Sequence, residues 1–587
     1  MASYFRPTEI TAHPVDSQGA RRRLYGSRTK YWANKLAVDE AEPGLTSSQL
    51  MLTNKDLKPV EKARRVWGPW NFVGFWVADC FNINTWMIGG AMVAGGLSWW
   101  QAWLCVWIGY FVAAVFVVLA GRVGAVYHIS FPVVARSSFG VWGGLWPVFN
   151  RTVMACVWYG VQAYIGGHCV YVMIRAIWTN WGDILNTFPR DSGTTTPDFV
   201  SFFIFWLLSL PAIWFPVHKI RHLFTVKAYV VPTAGLAFLI WTVVRAGGVG
   251  PIIRQPARVS GSEWSWQFVQ GIMSSIANFA TLIVNDSDFS RFAIKPRDAL
   301  WSQLFTIPVG FAVTSFIGII VSSASAILYE GDPIWDPIDV LDKFIDGGNS
   351  GERFGVFVLG LSFALAQLGT NIAANSVSAG TDMTAILPRF INIRRGGYIC
   401  AAVGFAINPW ILLTDSSQFT TYLSAYSVFL SSIAGVMIAD YYFVRKGYIV
   451  VEDLYRAKKG TSYYFTFGLH WRAYAAYVAG ILINVVGFAD AVGTPVPMGA
   501  VYIYRVNFFA GFIVSSTMYW LLCHFFPIPA TSDRWAEVGG EDLDEVIVAY
   551  SPDSYSGQER FDEEAKVSSK PAGEDVISNQ HGKATLI

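Results

Sequence analysis

Apolar stretches of about 20 residues or more recur along this chain between short polar segments, each long enough as a helix to cross a bilayer. Twelve such spans are predicted, over 70–95, 99–121, 144–177, 200–217, 224–246, 266–284, 301–328, 354–378, 397–413, 418–443, 471–490 and 504–527. The expected fold class is an all-α polytopic membrane protein of twelve transmembrane helices. Residues 1–66 read as an amino-terminal cytosolic segment and 67–530 as the membrane domain. Residues 531–587, polar with acidic clusters around Glu541–Glu545 and Asp562–Glu564, read as a disordered cytosolic tail.

Two runs are interrupted. "WVADCFNINTWMIGG" (76–90) carries Asp79, Asn82 and Asn84 inside the first span, and "SSIANFATLIVNDSDFSRF" carries Asn278, Asn285, Asp286 and Asp288 in and after the sixth. An ionised Asp at the centre of a spanning helix costs about 2.5–3.5 kcal/mol, so such a residue normally faces a bundle interior or a wet cavity. Polar breaks at corresponding places in two halves point to an inverted-repeat transporter, spans 1–5 matching 6–10 with two helices added. The plainer reading of Asp79 is a neutral acid, or one paired to a lysine such as Lys227.

Two further spans present amides at helical spacing. Trp158 and Gln162 are four apart in "CVWYGVQAYIGG" and share a face, as do Gln367, Asn371 and Asn375 in "LAQLGTNIAANSVSAGTDM". An indole beside a carboxamide suits a planar heterocycle, which stacks on the one and hydrogen-bonds to the other. The competing reading is that the amides join helices to one another.

Charge settles orientation. Lys and Arg crowd the amino-terminal segment (Arg21–Arg23, Lys62, Arg64, Arg65) and the even-numbered loops (Arg122, Arg136; Arg291, Lys295; Arg394, Arg395; Arg445, Lys446), whereas the loop 329–353 is acidic. Both termini are therefore expected in the cytosol. The loop holding Arg245, Arg254 and Arg258 dissents. Composition adds that only 14% of the 587 residues are charged and 53% are hydrophobic, against about 25% charged in soluble domains. Six cysteines without a CxxC pair give neither a disulfide framework nor a zinc site. No metal-ligand helix, nucleophile elbow or phosphate loop argues for an enzyme, no nucleic-acid partner is indicated, and His168, alone in its span, reads as a core or headgroup residue. Lys566, Lys570 and Lys583 in the tail are candidate sites for ubiquitination machinery, though a plain solvated tail with no special site is the favoured reading.

The stretches "NKDLKPVEKARRVWGPWNFVGFWVADCFNINTWMIGG", "NRTVMACVWYGVQAYIGG", "NDSDFSRFA" and "LAQLGTNIAANSVSAGTDMTAILPR" resemble the fungal uracil, uridine and allantoin permeases of the nucleobase:cation symporter-1 family. The resemblance covers roughly residues 50–530. It implies the five-plus-five inverted repeat (LeuT-type) with two additional helices, and secondary active import of a nucleobase-like ring by alternating access. It also implies site residues. Trp158 would be the stacking tryptophan, Gln162 the ring-binding amide, and Asn375, with Asn371 one turn earlier, the amides of the eighth span. Asn82 falls where a bacterial hydantoin relative has Gln, and Phe279 where it has a second stacking tryptophan.

That relative's sodium site would fall on the carbonyls of Ala78, Phe81 and Ala366 and on two hydroxyl positions, which here are Gly369 and Thr370. One hydroxyl is missing, so H⁺ rather than Na⁺ is the expected coupling ion. Asp79 is the first candidate to carry it, and Asp286 or Asp288 the next. Expected partners are the small-molecule substrate and the plasma-membrane bilayer. Alternatives are a uridine or thiamine-type permease of the same family and, from another class, a membrane sensor that binds such rings without moving them.

Overall fold

In the computed structural model, which describes residues 37, 38, 45–189, 191–215 and 217–537 (side chains of 217–222, 224 and 225 excepted), the first apolar run forms two helices, α1 (Pro69–Cys80) and α2 (Ile83–Ala94). Pro69 opens α1, where its missing N–H leaves nothing unsatisfied. Asn82 makes the break. Its backbone is extended, its Oδ1 accepts from the Thr85 N–H at 2.9 Å, and its Nδ2 donates to the Asp79 carbonyl at 2.8 Å. One amide thus caps the new helix and satisfies a carbonyl of the old one.

The chain continues through α3 (Trp99–Tyr127), α4 (Phe131–Phe139), α5 (Leu145–Ile177), α6 (Thr196–Trp214), α7 (Val217–Arg245), α8 (Gly261–Asn278), α9 (Ala280–Asn285), α10 (Pro296–Leu328), α11 (Pro337–Lys343) and α12 (Ser350–Thr370). It ends with α13 (Ser378–Ile386), α14 (Ile393–Ala406), α15 (Ser416–Ala439), α16 (Trp471–Ala491) and α17 (Asn507–Phe525), with short helical turns between. The sixth run breaks at Phe279, between α8 and α9. The eighth is joined by a π-helical stretch, Asn371–Val377, a widened turn of the kind found at functional sites.

Among the described residues there is no β-strand, and nine helices are long and apolar enough to span a membrane. The three other predicted ranges also fall on helices: the broken α1–α2 pair, the more polar α5, and α14 with the turn Pro409–Leu413 after it.

Lipid-facing and interior helices separate by burial. The apolar windows of Thr196–Trp214 and Trp471–Ala491 are 33% buried within the protein, that of Ser416–Val444 78%, so the first two present side chains such as Leu207, Leu208 and Leu482 outward and the last runs through the centre. Helices approach closely where a side chain is absent: a Cβ at Gly160 of α5 would collide with the Gly404 carbonyl of α14.

Two of the three arginines that dissent from the charge pattern meet acids. Arg245 lies 3.6 Å from Glu352, and Arg258 pairs with Asp332 while donating to the Ala94 carbonyl. These loops therefore share one end of the bundle with the acidic 329–353 segment.

At the opposite end, α4 is wholly buried. Its Arg136 donates to the carbonyls of Met51, Leu52 and Leu454. The described part of the amino-terminal segment is held there, Val60 N–H donating to the His128 carbonyl at 2.9 Å. So is the start of the carboxy-terminal segment, where Glu537 accepts from Arg122 Nε and Nη2, each at 2.7 Å. Lys566, Lys570 and Lys583 lie outside the described residues.

Candidate functional site

Asn84 of the first interrupted run and Asn278 of the sixth meet inside the bundle. Asn84 Nδ2 donates to Asn278 Oδ1 at 2.9 Å, and Asn278 Nδ2 to the Tyr110 hydroxyl at 3.2 Å. Around them is a cavity of about 60 Å³ whose walls include Asp79, Asn82, Arg151, Trp158, Gln162 and Asn375. Helix breaks in two runs and the π-helical stretch in a third bring these groups to one place, because irregular backbone at membrane depth is tolerated only where it lines protein or a wet cavity.

Three of the expected ring-binding residues present unused polar atoms. The Trp158 Nε1 and the Gln162 Oε1 are buried without a hydrogen-bond partner. Asn375 donates its Nδ2 to Asn371 Oδ1 at 3.0 Å, and Asn371 donates to the Tyr159 carbonyl at 3.1 Å. Asn371 is fully buried behind the wall and positions Asn375 rather than facing the cavity itself. The chain of amides fixes Asn375 with its carbonyl oxygen free of protein donors. Trp158 is met edge-on by Tyr422 and Tyr426 of α15, at centroid distances of 5.7 and 6.1 Å. The Tyr426 hydroxyl donates to the Ala277 carbonyl at 2.6 Å, tying α15 to the break in the sixth run.

Two further expectations change. Phe279 does not line the cavity. It is fully buried, stacked on Trp76 at 5.4 Å with an interplanar angle of 27°, and edged by Tyr110 and Phe311. The aromatic that reaches the wall from that side is Phe311 of α10. Asn82 does line it, but both ends of its amide are engaged in holding the helix break.

At the place expected for a cation, the structure puts a lysine. Lys227 of α7 is buried, and its Nζ donates to Thr370 Oγ1 at 2.6 Å, while Thr370 Oγ1 donates to the Ala366 carbonyl at 3.1 Å. Its stem runs over Gly369, where a Cβ would lie 3.0 Å from Lys227 Cδ. Gly369, one of the two positions where the resemblance implied a hydroxyl, thus leaves room for the lysine stem. Ala78, Asp79 and Phe81 stand at the broken end of α1, Asp79 on the cavity wall.

The two remaining acids lie elsewhere. Asp286 is fully buried against Gly121, its Oδ1 receiving Gln303 Nε2 at 2.7 Å and its Oδ2 unpartnered. Asp288 accepts from the Phe131 N–H at 2.9 Å and from Asn285 at 3.3 Å. Neither belongs to the cavity wall.

The charged residue that sequence reasoning missed is Arg151. It sits on the wall, two turns from Trp158 along α5, and forms a buried ion pair with Asp382 of α13. Its seven-residue spacing from Trp158 puts both on one helix face, which was a usable signal. The partner 231 residues away was not.

A family profile described as a permease for cytosine/purines, uracil, thiamine and allantoin matches residues 59–511. The allantoin permease of Saccharomyces cerevisiae is 47% identical over 513 residues, covering 86% of this chain and 80% of the relative. The uracil permease of the same yeast is 47% identical over 532 residues, covering 87% and 83%. Among solved structures, Mhp1 in its inward-facing conformation superposes with a TM-score of 0.66 at 21% identity, covering 84% of this chain and 97% of that one. The fold is thus that of Mhp1. The chain belongs to the family of permeases for cytosine/purines, uracil, thiamine and allantoin.

Proposed function

We propose that this permease is a proton-coupled plasma-membrane importer of uracil or a closely related ring such as allantoin or uric acid, with both termini in the cytosol. The observation that carries the reading is the set of unpaired polar atoms on one cavity wall. Trp158 Nε1 is a lone buried donor and Gln162 Oε1 a lone buried acceptor, and Asn375, held by Asn371, stands on the same wall. A buried polar atom left unpaired costs about 1–3 kcal/mol. A flat ring carrying adjacent N–H and C=O groups relieves that cost at both atoms at once, and the Trp158 face offers it a stacking surface. The yeast relatives named for uracil and allantoin support this substrate class.

Proton coupling is inferred from Lys227. A buried lysine amine hydrogen-bonded to Thr370, when protonated, supplies positive charge where a metal cation would otherwise bind. Losing and regaining one proton would then do what binding and releasing one Na⁺ does in a sodium-coupled relative. Asp79 at the broken end of α1 is the group through which that proton would pass between cavity and lysine. Alternating access follows if the helices carrying the breaks rock against α5 and the π-helical stretch, opening the cavity to one side at a time.

Uptake of radiolabelled uracil into cells lacking their own permeases tests the proposal, with unlabelled uracil, allantoin, uric acid, uridine and cytosine as competitors. Accumulation that collapses with a protonophore and ignores sodium replacement is expected. Surface-expressed protein that gives no uptake above a vector control, for any of these compounds, overturns it.

A further inference from the structure

His168 is not isolated. It stands on α5 at the end of the bundle that carries the acidic 329–353 connection. Its Nδ1 lies 3.4 Å from Asp336 Oδ2. Asp336 caps α11, its Oδ1 accepting from the Ile338 N–H at 2.8 Å, and is 2% exposed. This carboxylate is therefore held in one orientation with its second oxygen turned to the imidazole. Asp339, one turn along α11, brings a third donor. One ligand atom from each of the three residues lies within 4.8 Å of the others.

Charge around the group is unbalanced in a specific way. The next acids along the segment, Asp342 and Asp346, are each paired with Arg175 at 2.6 Å. Among the described residues, Asp336 and Asp339 form no ion pair with any lysine or arginine. His168 Nδ1 is engaged with Asp336; a bound cation would displace the proton between them, and the neutral imidazole with two carboxylates would then present −2, the complement of a divalent cation.

One nitrogen and two oxygens, with an open position for water, form a donor set of the zinc type, and first-row transition metals prefer imidazole over the all-oxygen shells that suit Mg²⁺ or Ca²⁺. At Zn–N and Zn–O distances near 2.1 Å, tetrahedral ligands sit about 3.4 Å apart. The His168–Asp336 spacing already has that value. Asp339, exposed to solvent, would have to close the remaining gap by a change of rotamer.

We propose that His168, Asp336 and Asp339 form a divalent transition-metal site, with zinc the preferred ion, that clamps α11 to α5. The clamp would join the loop helix to the same long helix that carries Trp158 and Gln162. It depends neither on the substrate nor on the coupling ion of the transporter, so its test stands apart from theirs.

The test uses the full-length protein purified in detergent and Co²⁺ as a visible probe. One Co²⁺ per chain is expected, with d–d absorption bands that Zn²⁺ abolishes, and with the bands lost in His168→Ala and in Asp339→Asn. Zn²⁺ should raise the thermal melting midpoint of the unaltered protein and not that of Asp339→Asn, an exposed isosteric change that leaves α11 intact. Absence of Co²⁺ binding to the unaltered protein, or bands and melting shift that persist in both variants, overturns the site.

Discussion

Replacing Lys227 by Met keeps the length and apolar stem of the side chain while removing its ammonium. In the structure this is the positive group bonded to Thr370 at the expected cation position, so the proposed coupling carries one proton per transport cycle. A proton entering a cell yields about 2.3 kcal/mol per 100 mV of membrane potential and about 1.4 kcal/mol per pH unit. Together these are about 3.7 kcal/mol, or roughly a 500-fold limit on accumulation at one pH unit and 100 mV.

If Lys227 carries the coupled proton as proposed, its removal leaves the gradient nothing to act on. Lys227→Met should still exchange labelled for unlabelled uracil across the membrane, but its steady-state ratio of inside to outside should fall to about one. The assay measures both quantities in the same cells, at matched surface expression and with a protonophore control. Lys227→Met cells that accumulate uracil to the unaltered level would refute the coupling role. Loss of exchange as well as accumulation, in protein delivered normally, would assign Lys227 to structure instead.

Truncating Gln162 or Asn375 to Ala removes one neutral hydrogen bond to the ring, about 0.5–1.5 kcal/mol, so an apparent KM about 2- to 13-fold higher is expected from competition curves. Phe279→Leu, whose ring packs on Trp76 and not on the cavity, should leave KM unchanged and lower the melting temperature. Breaking the buried Arg151–Asp382 pair with Arg151→Met or Asp382→Leu alone should cost about 3–5 kcal/mol, whereas the double replacement should cost less than either, as thermal melting of purified protein will report. Gly160→Val should block the close approach to Gly404 and be seen as protein retained before the cell surface.

What the sequence determined by itself was whatever depends on near neighbours. The apolar runs placed the helices. Asn82 marked the break in the first span because an N-cap acts on residues three along the chain, here Thr85. The i, i+4 spacing put Trp158 with Gln162 and Asn371 with Asn375 on single faces, and in the structure Asn371 and Asn375 are bonded to each other.

Only the tertiary structure decided which face meets which partner. Phe279 follows the break in the sixth run, yet the crossing of α10 turns its ring toward Trp76 and brings Phe311 to the wall instead. Lys227 and Thr370, Arg151 and Asp382, Asn84 and Asn278, and His168 and Asp336 are each separated by more than 140 residues. Helical periodicity fixes the direction of a side chain relative to its own axis. The partner it reaches is fixed by how distant helices cross, and that depends on small-residue contacts such as Gly160 against Gly404, spread over the whole bundle.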